Sequence, residues 1–389
     1  MSSALTSFGS FSKFFYAHAE VDHHCPEYKL LTLVSSTCSR DNFILLKLKR
    51  DRMTRIVGSL LLMLTNICFT ANAQSRKLII DCDPGIDDAT ALILAMQYPG
   101  FEILGITSVF GNAYVEQATK NALRVVELSG KNIPVYKGAE KPLSIPIETP
   151  PDFIHGKDGL GNTNQPEPRL SYQKKSAAEF IVDITKKYPG QVTILAVGRL
   201  TNLAEAIKLD SSLIKNVKEV VIMGGALRVP GNATPVGEAN IRGDPHAADI
   251  VFTAPWKVTM IGLDVTTKVK LNDEILLRIK DKSKKYGQFI FSITRLYLAF
   301  HKNVNHVKGG FYVHDPSAVM YLIDSSLFKM VKGPVRVATE GIAIGETIMP
   351  AYDYQLQMQP WAGKPFVNAA IDVDVKRFLK TFETVIEQN

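Results

Sequence analysis

The sequence LIIDCDPGIDDATALILA, residues 78–95, decides the fold of this chain because it joins two apolar segments through an acidic cluster. The first apolar run predicts a buried strand, and the second predicts a helix. Between them, Asp81, Asp83, Asp87 and Asp88 place four carboxylates within eight positions. Four negative charges this close repel one another, so the cluster requires a compensating positive charge.

A divalent cation is the compensation that these residue types indicate. A helix N-terminus supplies only about half a positive charge, which is too little for four carboxylates. Carboxylate oxygens without cysteine or histidine favour Ca²⁺ or Mg²⁺ over zinc. The spacing differs from that of an EF-hand loop. Helix capping would explain Asp87 or Asp88 but leaves Asp83 unexplained.

Apolar segments alternate with amphipathic ones along the rest of the chain, which predicts an α/β fold with a mostly parallel, Rossmann-like sheet flanked by helices. We expect strands within residues 77–81, 101–111, 133–138, 191–198, 218–225 and 257–265, and helices after residue 86 and near 115–130, 176–187, 201–208 and 245–252. Residues 265–312 are predicted to form a small helical lobe or lid. The whole of 74–389 is interpreted as one catalytic domain.

The N-terminal part differs from this pattern. Residues 1–52 are predicted to be a poorly ordered extension, and residues 53–73 have the layout of a signal peptide: a basic start, an apolar run and Ala-Asn-Ala. We expect secretion if translation starts at Met53 and cleavage follows Ala73. An internal signal or anchor, a buried core helix and a cytoplasmic protein are the alternatives.

Charge and cysteine content exclude several classes of protein. The formal net charge of +7 comes from dispersed residues without a basic run, so we expect no nucleic-acid partner and no stable membrane association after signal cleavage. Cys82 is the single cysteine after residue 73, so no disulfide framework is expected in this domain. We interpret Cys82 as a packed thiol, since no base lies near it in sequence.

Polar residues follow several of the predicted strands directly. Asp83 comes after the first strand, Asn112 after the second, Arg199 after the fourth, and a Gly-Gly pair follows the fifth. In parallel α/β sheets, ligands bind beyond the carboxyl ends of the strands. These residues therefore predict one site, although Asn112 taken alone could be a helix cap.

Two later segments carry further candidate groups. GNATPVGEANIRGDP provides Asn232, Glu238 and Asn240, amide and carboxylate groups suited to the hydroxyls of a sugar, although an ordinary polar loop has a similar composition. GGFYVHDPSAV provides His314 and Asp315. Asp315 could be a helix N-cap and His314 a packed histidine.

With these motifs in order, the chain resembles the calcium-dependent nucleoside hydrolases of the inosine-uridine-preferring branch. DCDPGIDDA, GN, HGKDGLGN, LTN, MGG, EAN and VHDP carry the resemblance from about Lys77 to the C-terminal helix. It implies the nucleoside hydrolase fold and hydrolysis of the N-glycosidic bond of small-molecule ribonucleosides to free base and ribose. It also implies a homodimer or homotetramer.

The resemblance assigns roles to individual residues. Calcium ligands would be Asp83, Asp88, Asp315 and the backbone carbonyl of Val197. Asp83 would also be the general base, and His314 the acid for the leaving base. The ribose would be held by Asp87, Asn112, Glu238 and Asn240, with Asn232 near the 5′-hydroxyl and Met223 under the sugar. His155 matches a loop that closes over the substrate.

The sequence departs from the family pattern at three positions. Ala239 stands where a phenylalanine is usual, which removes a ring from the wall of the ribose pocket. Arg199 stands where a small residue is common, and we expect it to contact solvent or to perturb the metal loop. Val197 replaces a threonine, which matters little if only its carbonyl binds the cation.

Two other functions remain open from the sequence. Asp81-Cys82-Asp83 superficially matches the D-x-D of haloacid-dehalogenase-like phosphatases, and a degenerate site would leave a secreted nucleoside-binding protein. The base preference is also open. Tyr297 and His301, four residues apart on a predicted helix, are candidates to contact the base, and helix packing explains them equally well.

Overall fold

An eight-stranded sheet runs through the computed structural model, which describes residues 75–388. Its strands are β1 (Arg76–Cys82), β2 (Phe101–Ser108), β3 (Val135–Lys137), β4 (Val192–Ala196), β5 (Val217–Met223), β6 (Val258–Ile261), β9 (Phe328–Pro334) and β12 (Phe366–Val373). Two short pairs lie outside this sheet: β7 (Lys270–Leu271) with β8 (Phe311–Tyr312), and β10 (Arg336–Val337) with β11 (Thr347–Ile348).

Thirteen α-helical segments within residues 75–388 connect these strands. They are α1 (Ile86–Gln97), α2 (Val115–Ser129), α3 (Asp152–His155), α4 (Ala177–Lys187), α5 (Thr201–Leu209), α6 (Leu213–Asn216), α7 (Ala239–Gly243), α8 (Pro245–Thr253), α9 (Leu263–Thr266), α10 (Asp273–Lys282), α11 (Gly287–Asn303), α12 (Asp315–Ile323) and α13 (Val375–Ile386). Ser325–Leu327 and Asp353–Gln357 form 3₁₀ turns. None of the helices in this range has the length and apolar composition required to cross a membrane.

The strand order, β3-β2-β1-β4-β5-β6-β12-β9, identifies where a ligand should bind. All neighbouring pairs are parallel except β12 with β9. After β1 the chain builds outward through β2 and β3, and it then returns to add β4 on the other side of β1. The carboxyl ends of β1 and β4 therefore flank the topological switch point, where open α/β sheets bind their ligands.

Hydrophobic side chains cover both faces of the sheet, as a parallel sheet requires. Successive residues of β1 point to opposite faces, so Leu78 and Ile80 pack into one cluster with Leu92, whereas Ile79 packs into the other with Phe252. The predicted mostly parallel, helix-flanked α/β fold is confirmed.

The structure differs from the sequence prediction at the end of β6 and in elements that were not predicted. The apolar run 257–265 was predicted as one strand, but β6 ends at Ile261 and Leu263–Thr266 is a helical turn. The strands β9 and β12 were not predicted, and β9 reads FKMVKGP, whose lysines, glycine and proline are typical of loops. β9 tolerates this composition because it is the antiparallel edge strand.

The predicted helical segment 265–312 contains α10 and α11. They pack against each other, and α11 also contacts α3 and β8. Leu276, Ile290 and Ile293 lie in the same hydrophobic cluster as α1, so these helices share the core of the sheet. The predictions for residues 1–52 and 53–73 lie outside the described residues.

Candidate active site

The carboxyl end of β1 delivers its aspartates directly to the N-terminus of α1. Gly85 is the N-cap of this helix, and Asp87 and Asp88 occupy its first turn. A Cβ atom on Gly85 would lie 2.6 Å from His155 Nδ1 and 2.9 Å from the Asn112 Cβ, so only glycine permits this close approach. The tight turn thereby gathers the acidic residues against Asn112 and His155.

Backbone and amide donors fix Asp88 in this turn. Its Oδ1 accepts from the Asp83 N–H at 3.1 Å, and its Oδ2 accepts from the Gly85 N–H at 3.0 Å and from Asn112 Nδ2 at 2.9 Å. The side chain is fully buried. Asp88 is therefore oriented before any ligand arrives.

Asp83 is also fully buried, and its two oxygens have different surroundings. Oδ2 accepts from the Asn112 N–H at 2.8 Å and from Arg199 Nη1, whereas Oδ1 has no hydrogen-bond partner in the structure. Burial, followed by the Asp88 charge, raises the pKa of Asp83 well above its ordinary value, and the Arg199 guanidinium opposes this rise. Asp83 therefore retains an oxygen free for another ligand.

Asp87, Asp88 and Asp315 form a compact acidic group, with one oxygen from each lying within 4.8 Å of the others. Asp315 comes from the start of α12, which brings the VHDP motif to the first turn of α1. Burial and then mutual repulsion raise the pKa of Asp87 to about 7 and that of Asp315 well above its ordinary value. Burial and repulsion therefore oppose simultaneous ionisation of these three carboxyls.

This donor set fits a divalent metal ion. The oxygens are hard ligands of the kind that Ca²⁺ and Mg²⁺ prefer, and Asp83 Oδ1 and Asp87 Oδ1 are buried without partners. Asp87 belongs to the compact group, while Asp83 is paired with Arg199 beside it.

The carbonyl of Val197, predicted as a ligand, accepts a hydrogen bond from Asn240 Nδ2 at 2.8 Å. The same amide nitrogen lies 3.2 Å from the Met223 carbonyl oxygen. Asn240 therefore bridges the ends of β4 and β5. Met223 is the last residue of β5 and is almost completely buried beside the cavity.

Glu238 caps the short helix that carries Asn240. Its carboxylate accepts from the N–H groups of Asn240, Ile241 and Gly225 at 3.0 to 3.1 Å. Asn232 Oδ1 accepts from the Ala239 N–H at 2.9 Å. Hydrogen bonds therefore hold the EAN motif in place where it lines the cavity.

Two histidines also line the cavity. His314 Nδ1 is 2.8 Å from Thr266 Oγ1, and His155 Nδ1 accepts from the Ile86 N–H at 3.3 Å. Burial lowers the pKa of each to about 3, with nearby charges adding to the effect. Both rings are therefore neutral near pH 7.

Aromatic side chains complete the wall above the histidines. The rings of Tyr297 and His301 lie 4.6 Å apart, centroid to centroid, and Tyr297 is 5.6 Å from His155. Tyr312 lies between His301 and His314, at 5.4 and 5.9 Å. Tyr297 and His301, the candidates to contact the base, thus line the site and do not serve helix packing alone.

These groups surround one cavity of about 910 Å³. Among its lining residues are predicted site residues Asp87, Asn112, His155, Val197, Met223, Asn232, Glu238, Asn240, His314 and Asp315. Asp83 and Asp88 are fully buried and do not line it, but both accept hydrogen bonds from the lining residue Asn112. The structure therefore brings all the predicted site residues into one place.

Asp81 lies outside this group. Its Oδ1 accepts from Thr107 Oγ1 at 2.5 Å and from Asn202 Nδ2 at 2.7 Å. Cys82 is a buried thiol whose Sγ lies 3.7 Å from the Thr107 carbonyl oxygen, consistent with its interpretation as a packed residue. Asp81 therefore ties β1 to its neighbours and does not face the cavity.

Sequence reasoning did not anticipate the contacts of Arg199 or Thr266. Arg199 was expected to contact solvent or to perturb the metal loop: its side chain is largely buried, and it pairs with Asp83, which agrees with the second expectation and not with the first. Its position in the polar loop after β4 was the available signal. Thr266 had no signal, because it lies within residues 265–312, which were predicted only as a helical lobe or lid.

Comparisons with known proteins agree with this geometry. The family model for the inosine-uridine preferring nucleoside hydrolases matches residues 78–380. Uridine nucleosidase 1 of Arabidopsis thaliana is 45% identical over 312 residues, covering 79% of this chain and 92% of that protein. The inosine-uridine preferring nucleoside hydrolase of Leishmania major is 38% identical, covering 70% and 87%.

A solved structure supports the same relationship. The plant nucleoside hydrolase PpNRh1 superposes with a TM-score of 0.76 at 34% identity, covering 81% of this chain and 99% of that one. Because the family model spans most of the chain and the site residues converge at the switch point, the chain belongs to the inosine-uridine preferring nucleoside hydrolase family.

Proposed function

We propose that this ribonucleoside hydrolase cleaves the N-glycosidic bond with a calcium ion held by its acidic group, and that uridine and inosine are substrates. The observation that carries the proposal is the buried group of Asp87, Asp88 and Asp315 on one side of the cavity, with His314 also lining it. When bound, calcium would neutralise these carboxylates and lower the pKa of a coordinated water.

Asp83 is the proposed general base. Its free Oδ1 can accept a proton from the attacking water, while the Asn112 N–H holds the other oxygen in position. Asp83, Asp88, Asp315 and the Val197 carbonyl are the proposed calcium ligands, and Asp87 is close enough to Asp88 and Asp315 to contribute.

The ribose would lie between the acidic group and the EAN segment. We assign its hydroxyls to Asp87, Asn112, Glu238 and Asn240, with Asn232 near the 5′-hydroxyl and Met223 packed below the ring. Bond cleavage builds positive charge on the ribose, which nearby carboxylates stabilise. Fixing the sugar at several hydroxyls also aligns its anomeric carbon, and such orientation can supply up to ~7–11 kcal/mol of the barrier.

The leaving base would face the histidines and aromatic rings. We propose that His314 assists departure of the leaving base: its ring is neutral, so its N–H donates a hydrogen bond to the base as the glycosidic bond breaks, with Thr266 fixing the ring orientation. Burial raises the pKa of Tyr297 well above its ordinary value, so its hydroxyl remains a donor. With His301, it provides polar groups for the base, and His155 closes the cavity.

The phosphatase alternative has no support at this site. It would require Asp81 as the nucleophile, but this side chain is fully buried and hydrogen-bonded to Thr107 and Asn202. A binding protein without catalysis would keep the pocket but would release no ribose.

One assay panel tests the proposal. Ribose release from uridine, inosine, cytidine, adenosine and guanosine should be measured with and without a calcium chelator. We expect turnover of uridine and inosine that chelation abolishes. Phosphate release from phosphate esters, or saturable nucleoside binding without ribose release, would contradict the proposal.

The cellular context is also a proposal. We propose a secreted homodimer or homotetramer that begins near Gln74. Light scattering of the purified protein would measure its oligomeric state, and sequencing of the mature N-terminus would measure the cleavage site.

A further inference from the structure

A buried ion pair lies beside the acidic group. Arg199 is 9% exposed, and its Nη1 donates to Asp83 Oδ2. The same nitrogen lies 3.4 Å from Asn240 Oδ1. The guanidinium therefore stands between the proposed base and a proposed ribose contact, at the edge of the cavity.

Two glycines leave space for this side chain. A Cβ atom on Gly111 would lie 2.2 Å from Arg199 Nη1, and one on Gly243 would lie 2.6 Å from Arg199 Nε. Larger residues at either position would displace the guanidinium. The backbone around the site thus accommodates an arginine directed at Asp83.

Arg199 places a positive charge beside buried carboxyl groups whose negative charges would otherwise repel one another. Asp83, Asp88 and Asp315 are almost fully buried together with Asp87, and ionised carboxyls in such a site repel one another. The guanidinium forms an ion pair with one of them. A cation bound by Asp83 would need the same carboxylate, and it would experience repulsion from Arg199.

We propose that Arg199 is an internal counterion: it holds Asp83 when no metal is bound, and it competes with the metal for that carboxylate. The inference rests on the proposed calcium site. A metal bound at the free Oδ1 would then share this carboxylate with the guanidinium on Oδ2, and the two positive charges would repel each other. Arg199 stabilises the metal-free protein and weakens its affinity for calcium.

The test compares three variants without any nucleoside present. Arg199→Met removes the charge and keeps an unbranched side chain that fits between the glycines. Arg199→Lys keeps the charge. Arg278→Met is the control, because Arg278 pairs with Glu383 in a helix contact that is not part of the cavity lining. Calcium affinity is measured by titration calorimetry, and melting temperature is measured in chelator and in calcium.

We expect Arg199→Met to lower the calcium Kd at least about tenfold. Its melting temperature should fall in chelator and recover in calcium, so that the calcium-induced shift is larger than in wild type. Removing one partner of a buried ion pair leaves the other charge uncompensated, which is the physical reason for the loss. Arg199→Lys and Arg278→Met should keep the wild-type affinity within about twofold.

Other outcomes would overturn the inference. An unchanged calcium Kd, or an equal calcium-induced shift, would mean that Arg199 does not compete. Weaker binding in Arg199→Met would make Arg199 an organiser of the metal site. If the wild-type protein binds no calcium, both the proposed metal site and the competition are overturned. If the wild-type protein binds calcium and Arg199→Met binds it with the same Kd, only the competition is overturned.

A further variant decides the case in which Arg199→Met does not fold. Asp83→Asn combined with Arg199→Met removes both charges of the pair. Recovery of a cooperative melt in the double variant would support the counterion role. A double variant that remains unfolded would contradict it.

Discussion

Replacing Asp83 by asparagine, with Asp81→Asn as the matched control, separates catalysis from structural support at the end of β1. Both side chains are fully buried and two residues apart, and asparagine has nearly the same shape as aspartate. The amide introduced by Asp83→Asn can neither accept the proton from water nor contribute a full charge to the metal. The Asp81→Asn substitution changes a side chain whose partners are Thr107 and Asn202, neither of which lines the cavity, whereas Asp83 contacts the cavity-lining residues Asn112 and Arg199.

The structure allows both effects to be estimated. General base catalysis contributes roughly 10²- to 10⁴-fold, equivalent to ~3–5 kcal/mol of transition-state stabilisation. Because Asp83→Asn also weakens the metal site, we expect kcat/KM to fall at least ~10³-fold. In Asp81→Asn, Oδ1 can still accept from Thr107 and Asn202, but the new amide donor stands where Oδ2 has no partner. A buried unpaired donor costs about 1–3 kcal/mol of stability.

The assay is kcat/KM for uridine and inosine in saturating calcium, with urea denaturation of each variant at the same temperature. Asp81→Asn should remain within ~10-fold of the wild-type kcat/KM, because it affects the reaction only through positioning. Equal losses in the two variants, or a larger loss in Asp81→Asn, would refute the assignment of Asp83 as the base.

Four further outcomes are expected. Burial raises the pKa of Asp81 to about 7 from 3.8, so its stabilising contribution is complete below pH 3.8 and is lost as pH rises through 7. Between pH 4 and pH 8 in chelator, the wild-type protein should therefore lose about 4 kcal/mol of unfolding free energy relative to Asp81→Asn. A stability difference between the two proteins that urea denaturation shows to be independent of pH would exclude this. His314→Ala should slow inosine hydrolysis by roughly 10²- to 10⁴-fold but slow a p-nitrophenyl riboside much less, and equal slowing would assign His314 to positioning. His301→Ala should change the ratio of uridine to inosine kcat/KM, and an unchanged ratio would remove it from the base subsite. N-terminal sequencing from the native source should begin near Gln74, and recovery of an intact 1–52 segment on a cytosolic protein would contradict secretion.

The local sequence was sufficient to predict the parts of the fold that depend on periodicity. The parallel strands β1, β4 and β5 have nearly continuous apolar runs, which is what burial on both faces requires. The edge strand β9 was missed because partial exposure relaxes this requirement, and its lysines resemble a loop. The end of β6 was misplaced because the apolar residues of Leu263–Thr266 are buried in a helical turn instead.

The candidate site was predictable as a set of residues but not as a set of contacts. Asp83, Asp88 and Asp315 were identified from motif and residue type, and the topology brings them together. The close association of Asp87 with Asp88 and Asp315 depends on three-dimensional geometry that spacing does not encode. The Arg199 pair depends on side-chain direction and on Gly243, which is 44 positions away, so local sequence could not predict it.

The most direct test of the central claim is uridine hydrolysis by the purified protein before and after removal of bound metal. Ribose release is followed in calcium, in excess chelator, and after calcium is restored, while circular dichroism checks that the protein stays folded. We predict that folded protein in chelator loses turnover and regains it when calcium returns. Undiminished ribose release by folded, chelated protein would contradict the account.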